Sequence, residues 1–270
     1  KSENSAPTGE VFQKGDLTLV NEDASVYLKK LPPESFHLVL TSPPYNCNIN
    51  YKGYNDNLPH DHYEEILKTV FQECFRLLVK GGRLVVVVPT VVVWNNKRTL
   101  YPVFIHNLIE SLGFNFRDFV TWVKALSEKE AIGVAGRSTA WGSYRKASSP
   151  YTRPISEVIV VYEKEGKLQT NGELIDENVF KKATMNVWFI QQKKTTDHPA
   201  SFPEDLAERV IRLYTEKGMH VLDPFAGTSS TLIAAFKTGR KATGIEISRY
   251  YFNESKRRLI DALNRGTALF

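Results

Sequence analysis

The sequence is poor in cysteine. Cys47 and Cys74 are the only two in 270 residues, which excludes a disulfide framework and points to a reducing compartment. Long apolar runs are missing as well. The greasiest stretch, residues 84–93, is interrupted by Pro89 and falls far short of the ~20 residues that span a bilayer. No membrane partner is therefore expected. Residues 1–10 are polar, without the apolar segment of a secretion signal. The expectation is a soluble protein of a prokaryotic-type cytoplasm, with residues 1–14 as a flexible tail. There is no internal repeat. The paired histidines His60 and His62 lack a third ligand, so no metal is expected.

What is present fits one domain with a core of ordinary size, since 42% of the residues are hydrophobic. The net charge of +5 is unevenly spread. Residues 124–153 hold six basic residues, among them Arg137, Arg145, Lys146 and Arg153, against two acidic ones, a net +4. A basic stretch in a nearly neutral body suggests a polyanion footprint, and a nucleic acid is the natural candidate. Apolar runs at 17–20, 36–40, 83–88, 116–124, 155–162, 219–222 and 242–245 read as strands. Helical spacing runs between them, including a helix that Asp61 and Glu64 are expected to open as a capping box. This alternation predicts an α/β fold with a doubly wound, mostly parallel, Rossmann-like sheet. Residues 15–270 form the expected single domain, with a basic loop at 125–154 and a small surface excursion at about 163–197 that is expected to contribute to target recognition.

The chain is organised around Thr41-Ser42-Pro43-Pro44-Tyr45-Asn46. Two consecutive prolines cannot continue the preceding strand or donate to a sheet ladder, so the chain leaves the sheet there. The corner presents the Ser42 hydroxyl, the Pro43 carbonyl and the Tyr45 ring. Two acceptors and an aromatic face suit a planar ring that bears an amino group.

Asp223-Pro224-Phe225-Ala226-Gly227-Thr228 reads as strand, tight turn and helix start, where Gly227 lets the backbone approach a ligand. Glu246 ends the next strand, and a carboxylate there commonly grips the two hydroxyls of a ribose. The turn is not G-x-G-x-x-G and no lysine follows Gly227, which disfavours a dinucleotide or a nucleoside triphosphate. A nucleoside without phosphates fits better, and S-adenosylmethionine is the common one.

Together, Asp223-Pro224-Phe225-Ala226-Gly227-Thr228-Ser229-Ser230-Thr231 and the Ser-Pro-Pro-Tyr corner resemble the amino-methyltransferases of DNA. The corner precedes the cofactor turn, as in the circularly permuted β group of that family. Smaller pieces agree: Asn21-Glu22-Asp23, Trp122-Val123-Lys124, Thr139-Ala140-Trp141-Gly142-Ser143, Glu157, and His198-Pro199-Ala200-Ser201-Phe202-Pro203. The resemblance implies methyl transfer from S-adenosyl-L-methionine to a base amine in DNA, the base being flipped out or single-stranded. It implies a catalytic corner of Ser42, Pro43, Pro44 and Tyr45, with the tyrosine stacked on the base. Asp23 would take the cofactor's adenine amino group, and His198, Pro199, Ser201 and Phe202 would lie against its methionine end. Phe225, Thr228, Ser229 and Ile247 would complete the cofactor site beside Asp223, Gly227 and Glu246.

Within that family, serine at the head of the corner usually accompanies cytosine N4 methylation and aspartate adenine N6 methylation. Ser42 therefore implies N4-methylcytosine, with N6-methyladenine as the alternative, and a restriction–modification setting. Ser229 departs from the pattern, standing where a second glycine is usual. A catalytically silent nucleic-acid-binding partner is the competing class, although both main motifs are intact. Nothing in the sequence separates a monomer from a homodimer.

Overall fold

In a computed structural model of the chain, residues 7–136, 142–192, 199 and 201–267 are described. The chain opens with a hairpin of β1 (Val11–Lys14) and β2 (Leu17–Val20), then α1 (Ala24–Tyr27) and β3 (Phe36–Thr41), which ends at the proline corner. A small hairpin, β4 (Asn50–Tyr51) and β5 (Tyr54–Asn55), leads to α2 (His60–Leu77) and the long β6 (Leu78–Pro89). A second hairpin, β7 (Val91–Trp94) and β8 (Lys97–Leu100), precedes α3 (Tyr101–Ser111) and β9 (Asn115–Val123). Next come α4 (Glu128–Gly136), β10 (Ser156–Glu163), α5 (Glu177–Ala183) and β11 (Val187–Phe189). The chain closes with α6 (Glu204–Tyr214), β12 (His220–Asp223), α7 (Ser230–Lys237), β13 (Lys241–Ile245) and α8 (Arg249–Thr267).

Nine strands form one sheet in the order β1-β2-β13-β12-β3-β6-β10-β9-β11. Only β1 and β10 run against the common direction. The run from Val85 to Val88 in β6 is buried on both faces, which is why it shows no polar alternation. One face packs on the apolar side of α2, where Leu67, Val70, Phe71, Cys74 and Leu77 recur at helical spacing; the other packs on α6 and α7. The sheet is the mostly parallel, doubly wound one that the alternation predicts. Because β3 and β12 are parallel neighbours, the corner after Thr41 and the turn after Asp223 emerge side by side at one carboxyl edge. No helix among the described residues is long and apolar enough to cross a membrane.

Three expectations need correction. Residues 9–14 are not a loose tail: Val11 to Lys14 pair with Val20 to Leu17, and the Gly9 N–H donates to the Asn21 carbonyl. The strand is half polar because it lies at the sheet edge, which is what hid it. The Asp61–Glu64 capping box does not form. Helix α2 starts at His60 behind Pro59, with no side-chain cap, and Asp61 contributes only favourable charge in the first turn. The basic loop is not wholly irregular, since α4 lies within it.

The excursion after β10 departs from the opposite edge of the sheet, because β10 runs antiparallel to β6 and carries Glu163 to the level of Arg83. It is pinned there. The Glu216 carboxylate accepts from the N–H groups of Asn171, Gly172 and Glu173. A Cβ on Gly81 would come within 2.1 Å of the Leu168 backbone nitrogen, so only glycine admits this crossing. The first half of the excursion is therefore remote from the corner; only β11 brings the chain back to the corner's edge.

Candidate functional site

At the shared carboxyl edge lies a cavity of about 350 Å3. Its floor is the turn after β12. Asp223 is buried and acts as a clamp: it accepts from Thr41 Oγ1 at 2.7 Å, Thr231 Oγ1 at 2.6 Å and the Phe225 N–H at 3.1 Å. One carboxylate thereby joins β3, β12 and α7. Burial raises its pKa to about 6, against the pull of those hydrogen bonds. Gly227 has a φ of +51°, a left-handed conformation that favours glycine. Ser229 also takes the left-handed region, at +64°, which explains why a glycine would be at ease there. The side-chain oxygens of Thr228 and Ser229 are buried without hydrogen-bond partners.

Glu246 closes the cavity at the end of β13. It accepts from the Gly227 N–H at 2.8 Å and the Ser248 N–H at 2.8 Å. Burial lifts its pKa to about 8. Behind it, Asn21 donates to the carbonyls of Glu246 and Ile247. Helix α8 braces the same turn, with Ser255 donating to the Gly227 carbonyl at 2.6 Å and Arg258 to that of Thr228. Sequence reading missed Ser255 and Arg258, which carry no motif of their own.

The corner forms a defined chain of hydroxyls. Ser42 Oγ donates to the Val87 carbonyl at 2.9 Å and lies 2.6 Å from the Tyr45 hydroxyl. A carbonyl can only accept and Ser42 has a single proton, so Tyr45 is the donor to Ser42. That leaves Ser42 Oγ one free acceptor position. Burial, and secondarily the charge of Glu157, hold the Tyr45 phenol well above its ordinary pKa, so it stays a donor. The Tyr45 ring is not the exposed platform that the sequence suggests. It is buried, edge-on to Tyr101 with centroids 5.6 Å apart. Its role in this structure is to orient Ser42.

Loop 46–58 is a built roof. Asp56 is buried and accepts from the N–H groups of Asn46, Cys47 and Ile49 at 2.8, 2.9 and 3.0 Å. Asn46 and Asn48 turn the chain with positive φ, and the Asn46 side chain exchanges two hydrogen bonds with the Leu58 backbone. The β4–β5 hairpin then lies over the cavity with Tyr51, Tyr54 and Asn55 toward it, tied to α8 by Ser248 donating to the Lys52 carbonyl. Burial pushes the Cys47 thiol up to about 11, which makes it a poor nucleophile.

Most of the sequence-predicted residues meet here. Ser42 and Pro44 line the cavity; Pro43 and Tyr45 stand behind them. Asp23 lines it too, while also capping α1 by accepting from Ser25. Asp223, Phe225, Gly227 and Thr228 supply the floor, Glu246 and Ile247 one wall, and Ser201 and Phe202 another. Ser229 is buried beneath the turn and Pro199 is exposed; neither lines the cavity. His198 and Arg137 lie outside the described residues. Arg145 and Lys146 are exposed on a turn held by Ser143, whose hydroxyl accepts from the Ser149 N–H. Arg153 is half-buried two residues before Ile155, whose carbonyl accepts from the Lys124 N–H. The basic turn therefore enters the sheet at the corner's edge.

The proline corner and the turn after β12 thus open on one cavity, and comparison with known proteins gives the family. A DNA methylase family model covers residues 36–257. The chain belongs to this N6/N4 family of DNA methyltransferases. Among its relatives, the type II methyltransferase M.MjaVI of Methanocaldococcus jannaschii is 32% identical over 188 residues, 67% of this chain and 90% of that one. DNA adenine methyltransferase YhdJ of Escherichia coli K12 is 30% identical over 260 residues, 90% of this chain and 82% of that one. The Thermus thermophilus protein TTHA0409, solved with S-adenosyl-L-methionine, is 30% identical with a TM-score of 0.68, covering 91% of this chain and 95% of that one. The cytosine-N4-specific PvuII methyltransferase has a TM-score of 0.67 at 20% identity, covering 94% and 93%, a likeness of fold.

S-adenosyl-L-methionine is the cofactor of this methyltransferase. The cavity fits it. Aromatic side chains of Tyr51, Tyr54, Phe202 and Phe225 offer flat apolar walls, Asp23 and Glu246 offer carboxylates, and Thr228 in the turn keeps a buried hydroxyl without a partner.

Proposed function

We propose that the protein methylates the exocyclic N4 amine of cytosine in DNA, with Ser42 and the Pro43 carbonyl as the groups that hold the amine. The observation that carries this reading is the Tyr45–Ser42–Val87 hydrogen-bond chain, which fixes the Ser42 oxygen as an acceptor beside the cofactor cavity. The amine of cytosine is a weak nucleophile because its lone pair is delocalised into the ring. Two acceptors that take its two hydrogens favour a pyramidal nitrogen and turn the lone pair toward the cavity. The Pro43 carbonyl has no partner among the described residues and is the second acceptor. S-adenosyl-L-methionine supplies the electrophilic methyl group when bound. No strong base is required, because positioning accounts for much of the barrier reduction.

Glu246 and Asp23 would hold the ribose and the adenine amine of the cofactor, and Ser201 and Phe202 its methionine end. The target base would leave the helix stack to reach the corner, as enzymes acting on bases require. Arg145, Lys146 and Arg153 would contact the phosphates, since their turn runs into the corner's edge. The order of corner and cofactor turn along the chain supports the permuted group of the family. Adenine N6 is the second reading, favoured by the 30% identity to an adenine methyltransferase.

Single-turnover kinetics of Ser42→Ala test the assignment. The loss of a hydrogen bond that strengthens in the transition state should lower turnover on the order of 10–100-fold. Affinity for S-adenosyl-L-methionine should stay within twofold, about the spread of an indifferent change. Unchanged turnover with lowered stability would make Ser42 a turn residue only.

A further inference from the structure

The corner has a second side, away from the cofactor cavity. There β9 and β10 end beside β6. Glu157 stands opposite Pro89 on one strand and Trp122 on the other. Directly opposed residues of antiparallel strands share a face, and Pro89 shares its face with Val87 two residues earlier. Glu157 is thus on the Val87 face, one strand from the carbonyl that holds Ser42. Lys124 lies two residues beyond Trp122 on the same face. Its ammonium is ion-paired with Glu157 and lies 5.2 Å from the centroid of the Trp122 ring. The pair is only 19% and 16% exposed, and the Glu157 charge acts on the Tyr45 hydroxyl.

A charged pair so largely withdrawn from water is costly and gains little stability over an apolar pair. An ammonium also has three donors, and Glu157 occupies one. A cytosine whose amine is held by Ser42 and Pro43 turns its remaining polar edge away from the cofactor. That edge carries the ring nitrogen N3 and the carbonyl O2, both acceptors. Adenine in the same grip presents one ring acceptor and a carbon-bound hydrogen. A fixed lysine donor complements the first edge better.

We propose that Lys124 reads the N3/O2 edge of the target cytosine, and that Glu157 is the positioning residue that holds its ammonium. The inference rests on the cytosine reading above.

The test is a cycle between enzyme and substrate. The wild-type product nucleoside is identified first. Then kcat/KM is measured on DNA carrying cytosine or 3-deazacytosine at the target, for wild type, Lys124→Met and Glu157→Gln. The analogue keeps the amine and lacks the N3 acceptor; its different intrinsic reactivity cancels between enzymes. Wild type should prefer cytosine by about 10-fold or more, the worth of a hydrogen bond to a charged group, and Lys124→Met should reduce the preference to within about twofold. Glu157→Gln should lower kcat/KM on cytosine while changing it little on 3-deazacytosine, a split between substrates that a merely structural pair would not give.

N4-methylcytosine as product with equal preference in wild type and Lys124→Met overturns this proposal and spares the cytosine reading. N6-methyladenine rejects both. If Lys124→Met does not fold, Glu157→Gln takes its place in the cycle: a preference for cytosine over 3-deazacytosine equal to that of wild type overturns the proposal.

Discussion

Glu246 and Asp223 are two buried carboxylates with different work. Asp223 is saturated by two threonine hydroxyls and a backbone N–H, so it acts as a joint between the corner and the cofactor turn. Glu246 accepts two backbone N–H bonds and lines the cavity with acceptor capacity left over. Its pKa of about 8, raised by burial, has a consequence for stability. Because the folded pKa exceeds the ordinary carboxylate value, the stability it contributes is complete in acid and is lost as pH climbs through about 8. Glu246→Gln mimics the protonated form at every pH. The melting temperature of the cofactor-free variant relative to wild type should therefore rise steadily between pH 5 and 8, by up to about 1.4 kcal/mol per pH unit in free energy, and level off above. A pH-independent difference would mean that Glu246 is ionised throughout that range.

At the scale of elements, the seven inner strands of the sheet, the main helices and both motif turns were legible because hydrophobic period and proline or glycine punctuation act locally. The roof over the cavity was not. Its geometry depends on Asp56 reaching back to residues 46–49, and on asparagines at positive φ that look like ordinary loop residues. The β7–β8 hairpin did leave a signal: Asn95 and Asn96 both have positive φ, as a two-residue turn between strands demands. The burial of the Tyr45 ring was also hidden, since only the fold reveals that Tyr101 packs against it. Asp56→Ala tests the roof. Three backbone N–H groups lose their acceptor, and the loop should be destabilised on the order of 2 kcal/mol. Amide exchange across residues 46–58 should quicken and cofactor affinity fall, while β6 and β12 stay protected. Equal exchange in variant and wild type would show that the roof is held by its other contacts.

Across the whole molecule, the sheet sorts functions by edge. The corner, the cofactor cavity and the basic turn share the carboxyl edge. The first half of the excursion, anchored on Glu216, stays at the opposite edge and is a poor candidate for reading DNA sequence. If the basic turn faces DNA, replacing Arg145 and Lys146 by alanine should weaken binding to all sequences alike. The slope of log affinity against log salt should flatten by about 0.9 for each duplex phosphate that the variant no longer neutralises. An unchanged slope would put these side chains off the DNA.

The central claim is that this edge delivers a methyl group to a base amine held by Ser42. Its most direct test is to incubate DNA with the protein and S-adenosyl-L-methionine, digest it to nucleosides, and identify the new one by mass and retention. The account predicts N4-methylcytosine, formed on the order of 10–100-fold more slowly when Ser42 is alanine. N6-methyladenine would contradict the choice of base, and the absence of any methylated nucleoside, with the cofactor shown to bind, would contradict the account itself.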